Sequence, residues 1–309
     1  MKAEFLGIDI GGTNTRLGLV NSEGRIVSKE NLKTRMEAGP EALVEDIFIT
    51  ATRMIGDDQI TQVGAGIAGL IDHRNGVVRF SPNLTNWRNV PLKDMLHECF
   101  GAPVAVSNDV NAIAWGEYMY GGYGTRNLFC FTLGTGVGGG IISDGRLILG
   151  ANDAAGEFGH TSFEGNSRCS CGIKGCLEAY VGNDRFVRKA RRQMKLASPL
   201  IKFASAEELT PRLIAQAARE GDELALKIFT DAGQKIGRAL GNVVQLLDPD
   251  VIVVNGGISK AGDLIIKPIR ETLKHYTMPL KGRKLKVIRS KLGDKAGILG
   301  AATLAEVLS

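Results

Sequence analysis

The sequence predicts an α/β protein with two domains, and three observations support this. Apolar strand-like runs alternate with segments of helical periodicity along most of the chain. An opening pattern of strand, glycine turn and hairpin occurs twice. The length of 309 residues suits about two domains, and 44% hydrophobic with 23% charged residues is an ordinary composition for packed cores.

The first half begins with a strand and a glycine turn. Residues 5–10 predict a buried strand, and strands are expected near 15–20 and 25–31 after the turn at 11–14. Pro40 introduces helical periodicity over 40–56, and 61–68 predict another strand. A strand at 103–107 is expected to lead into a helix at 110–120.

The second half repeats that beginning. A strand at 128–133 precedes a glycine-rich turn from Gly134 to Gly140, and a strand at 140–143 leads into a second hairpin. Gly24-Arg25 and Gly145-Arg146 close equivalent turns, which indicates an internal duplication. A helix near 222–247, a buried strand at 251–255 and a helix at 295–308 complete the chain.

Charge and cysteine content exclude several classes of protein. The net charge of +5 is interspersed, and the basic residues at 185–195 have the helical spacing of a solvated face, so no nucleic-acid partner is expected. Five cysteines, three of them clustered, argue against a secreted disulfide framework and favour the cytoplasm. The short acidic N-terminus is unlike a signal peptide, and no apolar run reaches the roughly 18 residues of a membrane span.

One polar segment concentrates metal-ligand residues. These are His160, Cys169, Cys171 and Cys176. Three thiolates and an imidazole would complete a tetrahedral zinc shell without an open position, which favours a structural metal. The alternative is three free thiols in a loop. Glu157 and Glu178 bracket the ligands, and a purely structural site would not need these carboxylates.

The two glycine turns are candidate phosphate sites. The residues concerned are Gly11, Gly12, Thr13 and Asn14 in the first turn, and Gly134, Thr135, Gly136 and Gly138 in the second. Neither common nucleotide fingerprint is present at the first turn, and the chain continues into a strand rather than a helix. Backbone N–H groups of such hairpin turns can bind phosphate, although a lone glycine turn is more often a plain hairpin. Two turns in corresponding places predict a clamp on a triphosphate.

Two aspartates follow buried strands. Asp9 precedes the first turn, where a carboxylate would repel phosphate unless Mg²⁺ intervenes; its alternative role is turn capping. Asp109 enters a helix, so it is either an N-cap or the base that accepts a hydroxyl proton during phosphoryl transfer.

A hexose site needs several converging polar groups, since each unmatched buried polar group costs about 1–3 kcal/mol. Asn83 lies in the turn-rich loop from Ser81 to Trp87, where polar residues are more often only solvated. The candidate set is Asn83, Asn108, Asp109, Glu157, His160 and Glu178.

These residues together resemble the ROK family of bacterial sugar kinases and related repressors. The resemblance covers essentially the whole chain and rests on segments in order: Asp9–Asn14, Asn108–Ala112, Leu133–Gly140, Gly156–His160, Cys169–Glu178 and Val254–Gly257. The loop around Asn83 and the segment Ala154–His160 look most like those of the family's glucokinases.

The resemblance implies a two-domain actin/hexokinase-like (ribonuclease H-like) fold with an interdomain cleft. The expected domains are 1–121 plus 295–309, because the last helix returns to the first domain, and 122–294. It implies Asp109 as general base and sugar contacts from the candidate set. Zinc would be held by the His160 and cysteine set, and Gly134–Gly138 with Gly256 and Gly257 would line the nucleotide site. A homodimer or higher homo-oligomer is the family expectation.

Three functions follow. The first is ATP- and Mg²⁺-dependent phosphorylation of a hexose 6-hydroxyl, with glucose as the expected acceptor. The second is a kinase of an N-acetylhexosamine, mannose or fructose, because one epimer or methylene discriminates only modestly. The third is a sugar-sensing regulator. It is disfavoured because the first strand begins at Phe5, which leaves no room ahead of it for a helix-turn-helix.

Overall fold

The computed structural model of the protein describes residues 3–194 and 208–308. Its strands in chain order are β1 (Phe5–Ile10), β2 (Asn14–Val20), β3 (Ile26–Lys33), β4 (Gln62–Ile67), β5 (Leu70–Asp72), β6 (Val77–Phe80), β7 (Arg88–Val90), β8 (Val104–Asn108), β9 (Leu128–Leu133), β10 (Val137–Ser143), β11 (Arg146–Leu147), β12 (Val251–Asn255) and β13 (Lys286–Arg289). Its α-helices are α1 (Gly39–Ile55), α2 (Leu92–Phe100), α3 (Asp109–Tyr120), α4 (Glu178–Val181), α5 (Asn183–Met194), α6 (Pro211–Arg219), α7 (Glu223–Leu247), α8 (Asp263–Leu273), α9 (Ala296–Ala302) and α10 (Ala305–Leu308). Position 195 of the basic stretch lies outside the described residues.

Two five-stranded sheets repeat one strand order, which confirms the predicted duplication. The first is β3-β2-β1-β4-β8 and the second is β11-β10-β9-β12-β13. In the first sheet β2 is antiparallel to β1 and β3, whereas β4 is parallel to β1 and β8. In the second, β12 is likewise parallel to β9 and β13. A small antiparallel sheet, β5-β6-β7, was not predicted, because its strands of three or four residues are too short to show a period.

The described chain forms two compact units. The first unit lies within Met1–Arg126, Gly140–Gly156 and Lys291–Ser309, and the second within Asn127–Gly139 and Glu157–Ser290. Burial of β1, β4 and β8 against α1 and α2 forms the core of the first unit. In the second unit β9 and β12 are fully or almost fully buried along their apolar residues. Among the described helices, none is both long and apolar enough to cross a bilayer.

Helix α9 packs closely on the first sheet because glycines line the contact. A methyl group on Gly7 of β1 would lie 2.1 Å from the carbonyl oxygen of Ile298, and one on Gly64 of β4 would lie 1.7 Å from that of Ala301. A larger side chain at either glycine would therefore force the helix away from the sheet. The C-terminal segment is thus an integral part of the first unit.

Two predicted elements were wrong in extent. The helix expected at 295–308 is interrupted at Thr303, whose hydroxyl donates to the carbonyl oxygen of Leu299 and competes with the backbone at the helix end. The second glycine turn was expected to reach Gly140, but β10 already begins at Val137. Gly140 is needed within that strand because a methyl group there would lie 2.5 Å from the side chain of Ala114 on α3.

Candidate functional site

The first glycine turn joins β1 to β2 and is fastened by the end of β3. Within the turn, Gly11 N–H donates to the carbonyl oxygen of Asn14 at 3.1 Å. Thr34 supports it from outside: its hydroxyl donates to Gly11 O at 2.8 Å and its N–H to Thr13 O at 3.0 Å. The side chains of Thr13 and Asn14 are exposed. The turn therefore has a fixed backbone and free polar side chains, as a phosphate site requires.

Asp9 precedes this turn and is held in a restricted environment. Its carboxylate accepts a hydrogen bond from Arg16 at 3.0 Å. Burial raises the pKa of Asp9, while the Arg16 charge opposes that rise. On the other side, a methyl group on Gly297 would lie 3.2 Å from the carboxyl carbon of Asp9. A partly desolvated carboxylate of this kind is stabilised by a further cation, so its chemistry fits Mg²⁺.

Asn83 packs directly on the first turn. A methyl group on Gly12 would lie 3.1 Å from the Cβ of Asn83 and 3.3 Å from its carbonyl oxygen. Asn83 is exposed, whereas Trp87 at the end of the same loop is only 2% exposed and belongs to the core. The structure thus brings one candidate sugar residue against the candidate phosphate turn of the same unit.

Asn108 ends β8 and caps α3. Its side-chain oxygen accepts from the N–H groups of Val110 at 2.9 Å and Asn111 at 3.3 Å, and its amide nitrogen donates to Gly69 O at 3.1 Å. One amide hydrogen therefore remains for a ligand hydroxyl. Asp109 is the first residue of α3, and because Asn108 supplies the cap, the alternative of Asp109 as N-cap is not needed.

The second glycine turn is held by Glu178. Its Oε2 accepts from Val137 N–H at 2.8 Å, and a methyl group on Gly136 would lie 2.6 Å from the same oxygen. Gly134 N–H donates to Gly136 O at 3.0 Å, and Asn183 N–H donates to Gly134 O at 3.0 Å. Thr135 is exposed at the tip, whereas Gly138 lies within β10.

The pair Gly256-Gly257 follows β12. Gly256 has a φ of +91°, and a methyl group on it would lie 2.4 Å from Leu133 O. Gly257 has ordinary helical angles, and a methyl group there would meet no atom within 4 Å. The fold therefore requires the first glycine and leaves open space at the second.

The predicted metal-ligand residues do converge. One ligand atom from each of His160, Cys169, Cys171 and Cys176 lies within 4.8 Å of the others. Cys169 Sγ is 3.5 Å from His160 Nδ1, and Cys171 Sγ is 3.7 Å from Cys176 Sγ. Burial, together with the Cys171 thiol, raises the pKa of Cys176 to about 12. Burial also raises the pKa of Cys169, so two of the three closely packed thiols resist ionisation, which suits a site in which a bound cation stabilises the thiolates.

The candidate sugar residues of the second unit surround this cluster. His160 Nε2, on the far side of the ring from the sulfurs, is 3.9 Å from Glu157 Oε2. Glu178 Oε1 accepts from the Ser170 hydroxyl at 3.1 Å and lies 3.4 Å from Cys169 Sγ. The Glu178 carboxylate therefore contacts both the second glycine turn and the loop that contains Cys169 and Ser170, here called the cysteine loop.

Several residues at these sites were not predicted from the sequence. Arg16 lies on β2, Thr34 directly follows β3, and Asn183 holds the second turn through its backbone, so no local pattern marks them. His73 was also missed; it follows β5 and lies beside Ser107, two residues before Asp109. Each of these contacts depends on strand pairing or loop placement rather than on spacing along the chain.

Comparison with known proteins gives consistent matches over the whole chain. The model of the ROK family matches residues 5–307. A glucokinase from Thermotoga maritima is 37% identical over 309 residues, covering 98% of this chain and 97% of that protein. The crystal structure of a ROK family glucokinase from Streptomyces griseus, in complex with glucose and AMPPNP, has a TM-score of 0.86 and 37% identity, covering 98% of this chain and 99% of that one. A xylose repressor from Caldicellulosiruptor bescii is 30% identical, covering 99% of this chain and 79% of that protein.

Proposed function

The chain belongs to the ROK family, and from that premise we propose that it is an ATP-dependent sugar kinase that converts glucose to glucose 6-phosphate. The actin/hexokinase-like fold of its structural relatives supports the proposal, as do the glucokinases among those relatives. The observation that carries it is the packing of Asn83 on Gly12, because it brings a residue suited to the acceptor sugar beside the turn suited to the donor phosphates.

In the proposed reaction Asp109 accepts the proton of the sugar 6-hydroxyl as that oxygen attacks the γ-phosphorus of ATP. The new P–O bond forms as the bond to the β,γ-bridging oxygen breaks, and ADP leaves. Asn108 fixes the start of α3 and so orients Asp109. The sugar would be bound by the amides of Asn83 and Asn108 and by Glu157, His160 and Glu178.

ATP would be bound by the two glycine turns and by Gly256 and Gly257. The first turn contributes the backbone of Gly11 and Gly12 with Thr13 and Asn14, and the second contributes Gly134, Thr135, Gly136 and Gly138. Asp9 would hold Mg²⁺, which neutralises phosphate charge when bound. The raised pKa of Asp9 supports this, since burial leaves its charge only partly compensated by Arg16.

We also propose that His160, Cys169, Cys171 and Cys176 hold a structural zinc ion. Zn–S bonds of about 2.3 Å and Zn–N bonds of about 2.0–2.1 Å in a tetrahedron imply edges of about 3.8 Å between sulfurs and about 3.5 Å between sulfur and nitrogen. The Cys171–Cys176 distance of 3.7 Å and the Cys169–His160 distance of 3.5 Å match those edges, and all four ligand atoms lie within 4.8 Å of one another. His160 would bind the metal through Nδ1 and leave Nε2 for the sugar, so the metal would orient a substrate-binding residue.

Two further proposals concern the protein as a whole. None of the cysteines forms a disulfide, and three of them are proposed metal ligands, which supports a reducing cytoplasmic location. Assembly as a homodimer or higher homo-oligomer is proposed from the family alone, and sedimentation of the purified chain would test it.

The test of function is a coupled assay of ADP release with Mg²⁺-ATP and a panel of glucose, N-acetylglucosamine, N-acetylmannosamine, mannose and fructose. We expect kcat/KM for glucose to exceed that for every other sugar by about 100-fold, or about 2.7 kcal/mol of transition-state discrimination. Turnover led by another sugar would retain the kinase and refute glucose as its acceptor. Sugar binding without turnover would favour a regulator, as in the repressor relative.

A further inference from the structure

His73 is a buried titratable residue that the proposed mechanism does not use. It is 5% exposed and follows β5 in the small sheet of the first unit. Its Nε2 lies 2.9 Å from Ser107 Oγ, and its Nδ1 lies 3.2 Å from Asp153 Oδ1. The ring thereby connects three separate segments: the end of β5, the end of β8 and the segment around Asp153.

The arrangement has the order of a Ser–His–Asp triad but cannot act as one. Ser107 has no exposed surface, so its hydroxyl cannot reach a substrate. A buried histidine in this place has a positional role instead: Nε2 is hydrogen-bonded to Ser107, and Nδ1 lies close to the Asp153 carboxylate.

Desolvation makes the neutral ring the relevant form. Burial lowers the pKa of His73, although the nearby Asp153 and Asp72 carboxylates oppose that shift. Asp72 is itself bound by Asn75 and by Arg79 at 3.0 Å. With the proton on Nδ1, facing the Asp153 carboxylate, Nε2 accepts the hydroxyl hydrogen of Ser107. The Nδ1 contact is close but poorly aligned for a hydrogen bond, so its attraction is mainly electrostatic.

Both partners of His73 lie close in sequence to proposed sugar-binding residues. Ser107 directly precedes Asn108 and lies two residues before Asp109, and the three residues before it on β8 are apolar. Asp153 lies in a loop closed by its own hydrogen bonds, from Ala155 N–H to Leu149 O at 2.8 Å, and has a φ of +58°. From that loop the chain continues to Glu157.

We propose that His73 is a positioning residue for sugar phosphorylation, which fixes the end of β8 and the loop before Glu157 through Ser107 and Asp153. The inference rests on the proposed function and extends it to residues that contact neither the sugar nor ATP. Because the two glycine turns are not among its contacts, its loss should affect the sugar and spare the nucleotide.

The test compares His73→Ala, Ser107→Ala, the double variant and His73→Gln with the wild-type chain in steady-state kinetics. We expect His73→Ala to lower kcat/KM for glucose by about 10- to 100-fold, as small misplacements of reacting groups do, with the KM for ATP changed less than about twofold. Ser107→Ala should produce a similar loss, and the double variant should be no worse than His73→Ala, because both remove one interaction. His73→Gln, whose amide can bond Ser107, should recover part of the activity.

His97→Ala is the matched control. His97 is also a histidine of the first unit with a ring hydrogen bond, to Ala102 O at 2.8 Å, but it lies on α2 and is exposed. Its kinetics should match the wild type. Thermal unfolding of every variant is measured beside the kinetics, and assays are run well below each midpoint.

Several results would overturn the proposal. A lower unfolding midpoint with unchanged kinetic constants would make His73 purely structural. Equal rises in KM for glucose and ATP, or additive losses in the double variant, would contradict a link through Ser107 to the sugar. An inactive wild-type chain would refute the proposed function and this inference together, whereas an active wild type with unaffected variants would refute this inference alone.

Discussion

Gly256 and Gly257 should respond in opposite ways to the same added methyl group. At Gly257 the backbone angles, φ −60° and ψ −41°, are those of a helix, and the methyl group would meet no atom within 4 Å. At Gly256 φ is +91°, and the methyl group would lie 2.4 Å from Leu133 O. The fold therefore does not require glycine at position 257. A requirement for glycine there would come from a bound ligand.

The magnitudes follow from these surroundings. Gly257→Ala should stabilise the protein by about 0.4–1 kcal/mol, because alanine restricts the unfolded chain and fits the native angles. Gly256→Ala should cost about 2–5 kcal/mol, from the left-handed backbone and the backbone clash together. If ATP lies against Gly257, the methyl group of Gly257→Ala should raise the KM for ATP about tenfold, which is about 1.4 kcal/mol of binding.

The assay combines urea unfolding with the KM for ATP and for glucose of both variants. The reasoning predicts that Gly257→Ala keeps or gains stability and keeps its KM for glucose, while its KM for ATP rises. An unchanged KM for ATP would remove Gly257 from the proposed nucleotide site. A loss of stability as large as that of Gly256→Ala would show that the space beside Gly257 does not accommodate a methyl group.

Three other perturbations separate the parts of the proposed site. Asp109→Asn should lower kcat by about 10²–10⁴-fold with a KM for glucose within about threefold of the wild type, because it removes the base but keeps the shape; near-normal kcat would exclude Asp109 as base. Gly12→Ala should raise the KM for glucose, since its methyl group would lie 3.1 Å from Asn83 Cβ and displace that residue; an unchanged KM would separate Asn83 from the sugar. Metal analysis should find one zinc per chain, and Cys171→Ser should lose zinc and glucose affinity together; zinc loss with full affinity would refute the link through His160.

Strand positions could be predicted from the sequence where a strand is long and apolar and ends in a recognisable turn. The strands at 5–10, 128–133 and 251–255 were predicted at their observed limits, because glycines or a hairpin follow each one. The interruption at Thr303 was not predictable, since it depends on a hydroxyl-to-carbonyl bond that competes with a continuous apolar pattern.

Residues of the candidate site could be predicted from the sequence only where they belong to a recognisable motif. The convergence of the cysteines with His160 followed from their clustering in the sequence and is confirmed as geometry. The contacts of Glu178 with both the second turn and the cysteine loop were not foreseen, because they require β10 and α4 to be neighbours in space. The assignment of individual residues to sugar and nucleotide, and the division into domains at 121 and 294, stay predictions.

The packing of α9 against glycines of the first sheet delays the burial of that sheet during biosynthesis. The sheet strands and α3 of the first unit have been synthesised by Tyr120, but α9 begins only at Ala296, 176 residues later (296 minus 120). At a translation rate of about 5–20 residues per second, the face of β1 and β4 that contacts α9 stays exposed for roughly 9–35 s. During that interval the nascent chain presents a bare sheet face to chaperones and to other chains. A ribosome that stops before Ala296 would therefore release a first unit whose sheet can never be covered.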